Sequence, residues 1–387
     1  MAGERMRKKF LPYGLHWIDD ADIKEVTNVL KSDWIVMGPK VEEFEGAICK
    51  YVGRKHGVAV NSGTSALDIA VASLGLEKGE IITTPFTFVA TANSILFNNL
   101  KPVFADIRKD TYNIDPNEIK KKITKETKAI VYVDFAGHPC DIKEIREIAE
   151  ECDLYLIEDA AHALGAKYNG KKVGAFADIT MFSFHPVKHI TTGEGGMCVT
   201  NDEELARRMR ILRNQGVDIG ARERFGPGAS WAYDVKFLGR NYRMTDFQAA
   251  LGLSQLKKLE GFIKRRQELA SLYSEMLKNA PLITLPRTKS NVRHTWHLYT
   301  ILLDKKVDRN KFITAMRTKN IGVNVHYLPI YSFSYYRENF AFKPKDFPVT
   351  EDISSQIVTL PMFPKMSDDD VENVGFAVKE SIREQVR

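Results

Sequence analysis

Lys188 lies in a segment, MFSFHPVKHITTGEGGM over residues 181–197, that could carry out covalent chemistry. The apolar start is typical of a β-strand, Pro186 ends it, and the glycines of 193–196 are expected to let the backbone pass close to a ligand. Burial lowers the pKa of a lysine and leaves a neutral amine, the form that attacks a carbonyl group to give a Schiff base. We therefore take Lys188 as the candidate nucleophile. A lysine that is merely solvated in a Gly/Thr loop is the alternative.

A second segment, LYLIEDAAHA over residues 154–163, supplies acidic groups. Its apolar start predicts a strand buried on both faces, which places Glu158 and Asp159 at the carboxyl end, where open α/β sheets bind ligands. The segment contains no Lys or Arg, so a buried Asp159 carboxylate needs positive charge from a ligand or a distant residue. A protonated pyridine nitrogen provides it. A Schiff-base lysine and such an aspartate are the pairing that pyridoxal phosphate requires.

A third segment, NSGTSA over residues 61–66, follows a short predicted strand and opens a predicted helix. Small residues at a helix N-terminus leave backbone N–H groups and the positive end of the helix dipole for an anion. A phosphate group fits there, and an ordinary Ser/Thr N-cap is the alternative. His162 follows Asp159 by about one helical turn, so both side chains can point into one site.

The elements that must position these segments alternate between strands and helices, which predicts an α/β protein with a mostly parallel, mixed sheet flanked by helices. We expect an N-terminal arm over residues 1–20, a large cofactor-binding domain over 21–254 and a smaller α+β C-terminal domain over 255–387. Residues 216–239 are rich in Gly, Arg and aromatic side chains without a clean period and are expected to form a mobile loop.

Four motifs in the same order resemble the DegT/DnrJ/EryC1/StrS family of sugar aminotransferases. They are Asn61–Ala66, Glu158–Ala163, Phe182–Lys188 with Thr192–Gly196, and Gly239–Met244. The resemblance runs from about residue 12 to the C-terminal end. It implies the pyridoxal phosphate-dependent transferase fold of the aspartate aminotransferase type, fold type I, and pyridoxal 5'-phosphate as the cofactor.

The resemblance also implies roles for individual residues. Lys188 binds the cofactor covalently and moves protons, and Asp159 keeps the ring nitrogen protonated. His162 lies near the phenolic oxygen of the ring, and Phe88 stacks on the ring. The implied phosphate site contains Gly63, Thr64, Ser65, Ser183 and, across the interface of an obligate homodimer, Asn241.

The substrate class follows from the resemblance alone. It implies that an amino acid, L-glutamate, supplies the amino group to the C4 ketone, less often the C3 ketone, of a nucleotide-linked keto sugar. The segment around Lys188 most resembles transaminases that make UDP-4-amino-4,6-dideoxy-N-acetyl-altrosamine on the route to pseudaminic acid. His189 departs from the proline or asparagine expected there, so GDP- and dTDP-linked 4-keto-6-deoxy sugars stay open. The substrate-binding candidates are His185, Glu194, His326 and Tyr327.

Arg240 and Arg243 are candidates for holding the carboxylates of the amino donor, and interface salt bridges explain them equally well. Family members that dehydrate their substrate have histidine in place of the lysine, so Lys188 argues against that branch. Two other classes stay open, a non-catalytic binding or regulatory protein of the same fold and a lyase or decarboxylase.

Composition narrows the remaining classes. The 387 residues include 56 basic and 50 acidic side chains, a net charge of +6 that is spread along the chain and argues against nucleic acid as a partner. Four cysteines without paired spacing indicate a reduced cytoplasmic protein with no metal site. No run reaches the roughly 18 apolar residues of a spanning helix, so we expect no membrane association.

Overall fold

The computed structural model describes residues 7–218 and 232–386. The helices are α1 (Asp20–Leu30), α2 (Pro39–Val52), α3 (Gly63–Ser73), α4 (Ala90–Phe97), α5 (Pro116–Lys122), α6 (Ile142–Glu151), α7 (Glu203–Arg213), α8 (Asp246–Leu256), α9 (Leu259–Leu277), α10 (Arg309–Thr318), α11 (Ser334–Asn339), α12 (Pro348–Gln356) and α13 (Asp368–Val386). The strands are β1 (His56–Val60), β2 (Glu80–Thr83), β3 (Lys101–Phe104), β4 (Thr127–Val133), β5 (Tyr155–Asp159), β6 (Lys167–Tyr168), β7 (Lys171–Lys172), β8 (Ile179–Ser183), β9 (Gly196–Thr200), β10 (Ile283–Thr284), β11 (Val292–Arg293), β12 (Tyr299–Leu303) and β13 (Ile357–Leu360).

The central sheet has seven strands in the order β1-β9-β8-β5-β4-β2-β3. Strand β9 runs antiparallel to β1 and β8, whereas the other neighbours pair in parallel. The predicted mostly parallel, mixed sheet is therefore confirmed. The register places Asp159 at the end of β5, between Val133 of β4 and Met181 of β8. The edge that the sequence predicted to bind a ligand is thus the carboxyl end of three adjacent strands.

The helices bury apolar faces against this sheet because their sequences carry apolar residues at helical spacing. Helix α3 is apolar almost all round, and eight of its residues are buried. Helix α6 shows the opposite pattern, with buried Ile142, Ile145 and Ile148 facing the sheet and charged residues between them. A helix buried on most sides is held firmly in place, and its N-terminus is where the sequence predicts an anion site.

The C-terminal part has its own hydrophobic core around a three-stranded sheet in the order β10-β12-β13, where each pair is antiparallel. Its long helices α9 and α13 contribute buried Tyr273, Leu277, Val374 and Val378. An isolated antiparallel bridge between Asn324 and Thr359 adds to the edge of this sheet. No observation tests the exact domain limits, which stay predictions.

The N-terminal arm is attached to the C-terminal part by backbone hydrogen bonds. Leu11 N donates to Asn320 O at 2.9 Å, and Gly322 N donates to Leu11 O at 2.7 Å. Farther along the arm, Met362 N donates to Tyr13 O at 2.9 Å. The arm therefore acts as an added edge segment of the C-terminal part before the chain enters α1.

Part of the loop expected over residues 216–239 lies outside the described residues, at positions 219–231. Across the described ranges, none of the helices combines the length and the apolar character needed to cross a bilayer.

Candidate active site

A cavity of about 630 Å³ opens at the carboxyl ends of β4, β5 and β8. It brings together eleven of the residues expected in the site, which are Gly63, Thr64, Phe88, Asp159, His162, Ser183, His185, Lys188, Glu194, His326 and Tyr327. They come from segments up to about 260 positions apart in the chain, so their convergence is a property of the fold. Ser65 and Asn241 were also expected there but do not line the cavity of the single chain.

Lys188 extends into the cavity from the connection between β8 and β9. Both ends of this connection are tied together, because Phe184 N donates to Gly195 O at 2.9 Å and Thr192 N donates to Phe184 O at 3.0 Å. Burial lowers the pKa of Lys188 to about 8, although the charge of Asp159 acts in the opposite direction. A substantial fraction of the amine is therefore neutral at mildly alkaline pH, as a nucleophilic lysine requires.

Asp159 is buried at the floor of the cavity, with 4% of its surface exposed. Thr91 Oγ1 donates to Asp159 Oδ2 at 2.8 Å, and Ala161 N donates to Oδ1 at 3.2 Å. Burial raises the pKa of the carboxyl group, while these two hydrogen bonds and the charge of Lys188 lower it. The outcome is a desolvated acid of increased basicity, suited to share a proton with a cationic ring.

The N-terminus of α3 faces the cavity through Ser62, Gly63 and Thr64. Ser62 is the N-cap residue, and its Oγ accepts from Ser65 N at 3.0 Å. The first two N–H groups of the helix, those of Gly63 and Thr64, have no intrahelical partner and point toward an incoming anion. A Cβ atom on Gly63 would lie 2.9 Å from Ser183 Oγ, so glycine is needed for these two segments to come together.

Two glycines of the cluster after Lys188 permit close approaches within the protein. A Cβ atom on Gly196 would lie 2.4 Å from Ser62 O, and one on Gly195 would lie 2.2 Å from Thr192 Oγ1. Gly195 and Gly196 thereby bring the start of β9 against the turn that carries the anion site. A Cβ atom on Gly193 would meet open space, and a ligand beside this glycine cluster stays a prediction.

His162 is buried beside Asp159 and packs against His297 at a ring-centroid distance of 4.3 Å. Its Nδ1 accepts from Ala136 N at 3.3 Å, and its Nε2 lies 3.2 Å from Tyr327 Oη. Burial is the main reason that the pKa of His162 lies well below the usual value. The ring is therefore neutral at neutral pH.

The rim of the cavity is formed by aromatic and polar side chains from distant segments. Phe88 is 58% exposed, and its ring lies 6.4 Å from that of Tyr327. His326 Nδ1 lies 2.8 Å from Thr359 Oγ1, and its ring packs against Tyr13 of the N-terminal arm at 5.4 Å. An exposed phenylalanine at the rim of the cavity is suited to stack on a flat ligand.

Three expected positions have other surroundings in the single chain. Ser65 is buried, and its Oγ donates to Asn61 Oδ1 at 2.7 Å. Asn241 is exposed, and its carbonyl oxygen accepts from Asn61 Nδ2 at 3.4 Å. Arg240 is paired with buried Asp68 at 3.1 Å. The roles proposed for these residues toward phosphate or carboxylate groups stay predictions.

Sequence reasoning missed three groups that line the cavity, Thr91, His297 and Tyr13. Thr91 lies three residues after Phe88, in the first turn of α4, so a hydroxyl group one turn beyond a proposed stacking residue was the available indication. Nothing local in the sequence marks His297 or Tyr13, since each reaches the cavity only through tertiary packing.

The geometry fits pyridoxal phosphate on three independent observations. The start of α3 offers free N–H groups to a phosphate. The Asp159 carboxylate is desolvated and raised in pKa, which suits a pyridinium nitrogen. The Lys188 amine is lowered in pKa, which suits a carbonyl carbon. These three features line one cavity of sufficient volume.

Comparison with known proteins gives consistent matches over nearly the whole chain. A profile of the DegT/DnrJ/EryC1/StrS aminotransferase family matches residues 16–379. The spore coat polysaccharide biosynthesis protein SpsC of Bacillus subtilis is 43% identical over 382 residues, which cover 97% of this chain and 98% of the relative. The UDP-4-amino-4,6-dideoxy-N-acetyl-beta-L-altrosamine transaminase of Campylobacter jejuni is 40% identical over 333 residues, or 85% of this chain and 86% of the relative.

A solved structure gives the same result. Helicobacter pylori PseC, an aminotransferase involved in the biosynthesis of pseudoaminic acid, superimposes with a TM-score of 0.91 at 35% identity. The superposition covers 97% of this chain and 100% of PseC.

Proposed function

Since the chain belongs to the DegT/DnrJ/EryC1/StrS aminotransferase family and is a pyridoxal phosphate-dependent sugar aminotransferase, we propose that it aminates the C4 ketone of a UDP-linked 4-keto-6-deoxy sugar, with L-glutamate as the donor. The fold and the cofactor are those predicted. The observation that carries the proposal is the convergence of Lys188, Asp159 and the α3 N-terminus on one cavity.

Lys188 and Asp159 have the central roles in this proposal. Bound pyridoxal phosphate supplies the electron sink that makes the carbon bearing the amino group acidic. Lys188 Nζ binds the cofactor covalently, and after its release it moves the proton at that carbon. Asp159 holds a proton on the ring nitrogen, for which its buried position and raised pKa are suited.

The phosphate group is assigned to the N–H groups of Gly63 and Thr64 and to Ser183. We further propose a homodimer in which Asn241 of one subunit completes the phosphate site of the other. The exposure of Asn241 beside the Asn61 turn supports this arrangement, since the residue lies near the anion site without entering the cavity of its own chain.

His185, Glu194, His326 and Tyr327 are assigned to the sugar nucleotide. They line the same cavity as Phe88, which we assign to stacking on the cofactor ring and which lies 6.4 Å from the Tyr327 ring. The choice of a UDP-linked sugar is supported by the names of the Campylobacter and Helicobacter relatives, and a product on the route to pseudaminic acid is the corresponding specific proposal. Four free cysteines fit a reducing compartment, and we place the reaction in the cytoplasm.

The test is an absorbance titration of the holoenzyme. L-glutamate should bleach the band of the lysine-bound cofactor and release 2-oxoglutarate, and one member of a panel of UDP-, dTDP- and GDP-linked 4-keto-6-deoxy sugars should restore the band. Recovery with a dTDP or GDP sugar alone would reject the UDP assignment. If other amino acids bleach the band and glutamate does not, L-glutamate is not the amino donor.

The shared phosphate site can be tested by mixing two inactive variants. If Asn241 acts across the interface, a heterodimer of Lys188→Ala and Asn241→Ala contains one site with both defects and one intact site. Mixing and re-associating the two variants should then restore activity, up to one working site per heterodimer. If Asn241 acts within its own chain, every site keeps one defect and no activity returns.

A further inference from the structure

Tyr327 and His162 form a contact between two distant segments that has a defined hydrogen-bond direction. Tyr327 belongs to the loop after residue 325, and His162 follows β5, yet Tyr327 Oη lies 3.2 Å from His162 Nε2 and the two rings are nearly parallel. Both side chains line the cavity. Among the described residues, His162 is the hydrogen-bond partner of the Tyr327 hydroxyl group.

The direction follows from the other nitrogen of His162. Ala136 N is a backbone donor, so His162 Nδ1, which lies 3.3 Å away, must accept and carries no proton. A neutral imidazole has one proton, which is then on Nε2. Nε2 must therefore donate to Tyr327 Oη, because two accepting nitrogens would require an anionic ring. The phenolic proton of Tyr327 is left free to be donated elsewhere.

The backbone conformation of the turn at Ala136 directs the Ala136 N–H group toward His162 Nδ1. Ala136 has φ = +58° and Gly137 has φ = +94°, two successive left-handed residues that begin three positions after the end of β4. A non-glycine residue in this region costs about 1 kcal/mol, and such positions persist where the surrounding structure requires them. Thr295 packs against the same turn, and its Oγ1 lies 3.3 Å from Gly137 O and 3.4 Å from His162 O.

We propose that Tyr327 is a catalytic hydrogen-bond donor, directed into the cavity by the series Ala136 N–H to His162 Nδ1 and His162 Nε2–H to Tyr327 Oη. Its acceptor is a ligand oxygen that can only accept a hydrogen bond. Two oxygens of the proposed reaction have this chemistry, the ketone oxygen of the sugar and the ionised phenolic oxygen of the cofactor. The identity of the ligand oxygen rests on the proposed function, whereas the direction of the hydrogen bond from His162 to Tyr327 does not.

The direction is tested by nitrogen NMR of the holoenzyme labelled with 15N-histidine, with His162→Gln used to assign the resonances. The expected result is a protonated Nε2 and an unprotonated Nδ1 at neutral pH. A protonated Nδ1, or a doubly protonated ring, would overturn the proposal. This measurement needs no turnover, so its outcome is independent of which sugar is the substrate.

The donation is tested with Tyr327→Phe, which keeps the ring and removes the hydroxyl group. Tyr331→Phe is the matched control, because Tyr331 is a nearby tyrosine whose hydroxyl donates to Glu351 at 2.6 Å, outside the cavity. Loss of one donor to a reacting oxygen should lower activity by about 10- to 100-fold. The control should stay within about twofold of the wild type.

Three measurements distinguish the two acceptor oxygens: the rate of the sugar half-reaction, the rate of the glutamate half-reaction and the affinity for pyridoxal phosphate. If the sugar ketone accepts, Tyr327→Phe slows only the sugar half-reaction, and the affinity for pyridoxal phosphate and the glutamate half-reaction stay unchanged. If the cofactor oxygen accepts, the dissociation constant of pyridoxal phosphate rises about tenfold without any sugar present. The inference would be overturned if Tyr327→Phe and Tyr331→Phe gave the same half-reaction rates and the same affinity for pyridoxal phosphate. Loss of the proposed function itself would instead appear as a wild type that aminates none of the sugars.

Discussion

Thr91 offers the most direct test of how the fold adjusts its buried acid. Replacing it with valine keeps the shape of the side chain and removes the 2.8 Å hydrogen bond to Asp159 Oδ2. A hydrogen bond to a charged group contributes about 1.5–3 kcal/mol, and Asp159 Oδ1 would keep only its bond from Ala161 N. The pKa of Asp159 should rise further, because the bond from Thr91 lowers it. Asp159 then keeps only one of the two hydrogen bonds that hold its carboxylate ionised and oriented, so less of the charged form is in place to pair with a protonated ring nitrogen.

We expect Thr91→Val to raise the dissociation constant of pyridoxal phosphate by about 10- to 100-fold, as that free energy implies. The measurement is a titration of the cofactor-free protein followed by absorbance. Thr91→Ser keeps the hydroxyl group and should bind within about threefold of the wild type. Wild-type affinity in Thr91→Val would refute the reasoning. So would equal weakening in both variants, since that would indicate packing rather than the hydrogen bond.

Three further outcomes are expected. Lys188→Ala should stay folded yet lose the borohydride-trappable cofactor and all turnover; activity in this variant would exclude Lys188 as the catalytic residue. The rate at which cofactor-free protein captures pyridoxal phosphate should rise about tenfold per pH unit below pH 8 and level off above it, because the neutral Lys188 amine increases as pH passes its pKa of about 8. A flat rate between pH 6 and 9 would contradict that pKa. Gly63→Ala should lower the affinity for pyridoxal phosphate by about tenfold or more, since the new Cβ would lie 2.9 Å from Ser183 Oγ. The affinity for pyridoxal, which has no phosphate group, should fall far less. Equal losses of affinity for both ligands would contradict a phosphate site there.

The sequence was sufficient for the parts of the site that depend on local patterning. An apolar run followed by an acid predicts a buried strand with Asp159 at its carboxyl end, and the structure has that strand. The capping of α1 by Asp19 is a local feature of the same kind, because its Oδ1 accepts from Ala21 N and Asp22 N. Such features depend on neighbours within a few residues, which the sequence displays directly.

The sequence was insufficient where function depends on distant segments meeting. Thr91 reaches Asp159 across 68 positions, and Tyr327 reaches His162 across 165. Neither pairing leaves a periodicity or a spacing that a local window can detect.

The N-terminal arm both pairs with the C-terminal part and contributes a side chain to the cavity. Leu11 pairs with the C-terminal part, while Tyr13, two residues later, lines the cavity and packs on His326. Chimeric enzymes with altered sugar preference can be made by exchanging the C-terminal part between relatives. Such an exchange would leave the contact between the arm and the C-terminal part mismatched. Residues 10–14 should be transferred together with residues 320–362, as one recombination unit drawn from both ends of the gene.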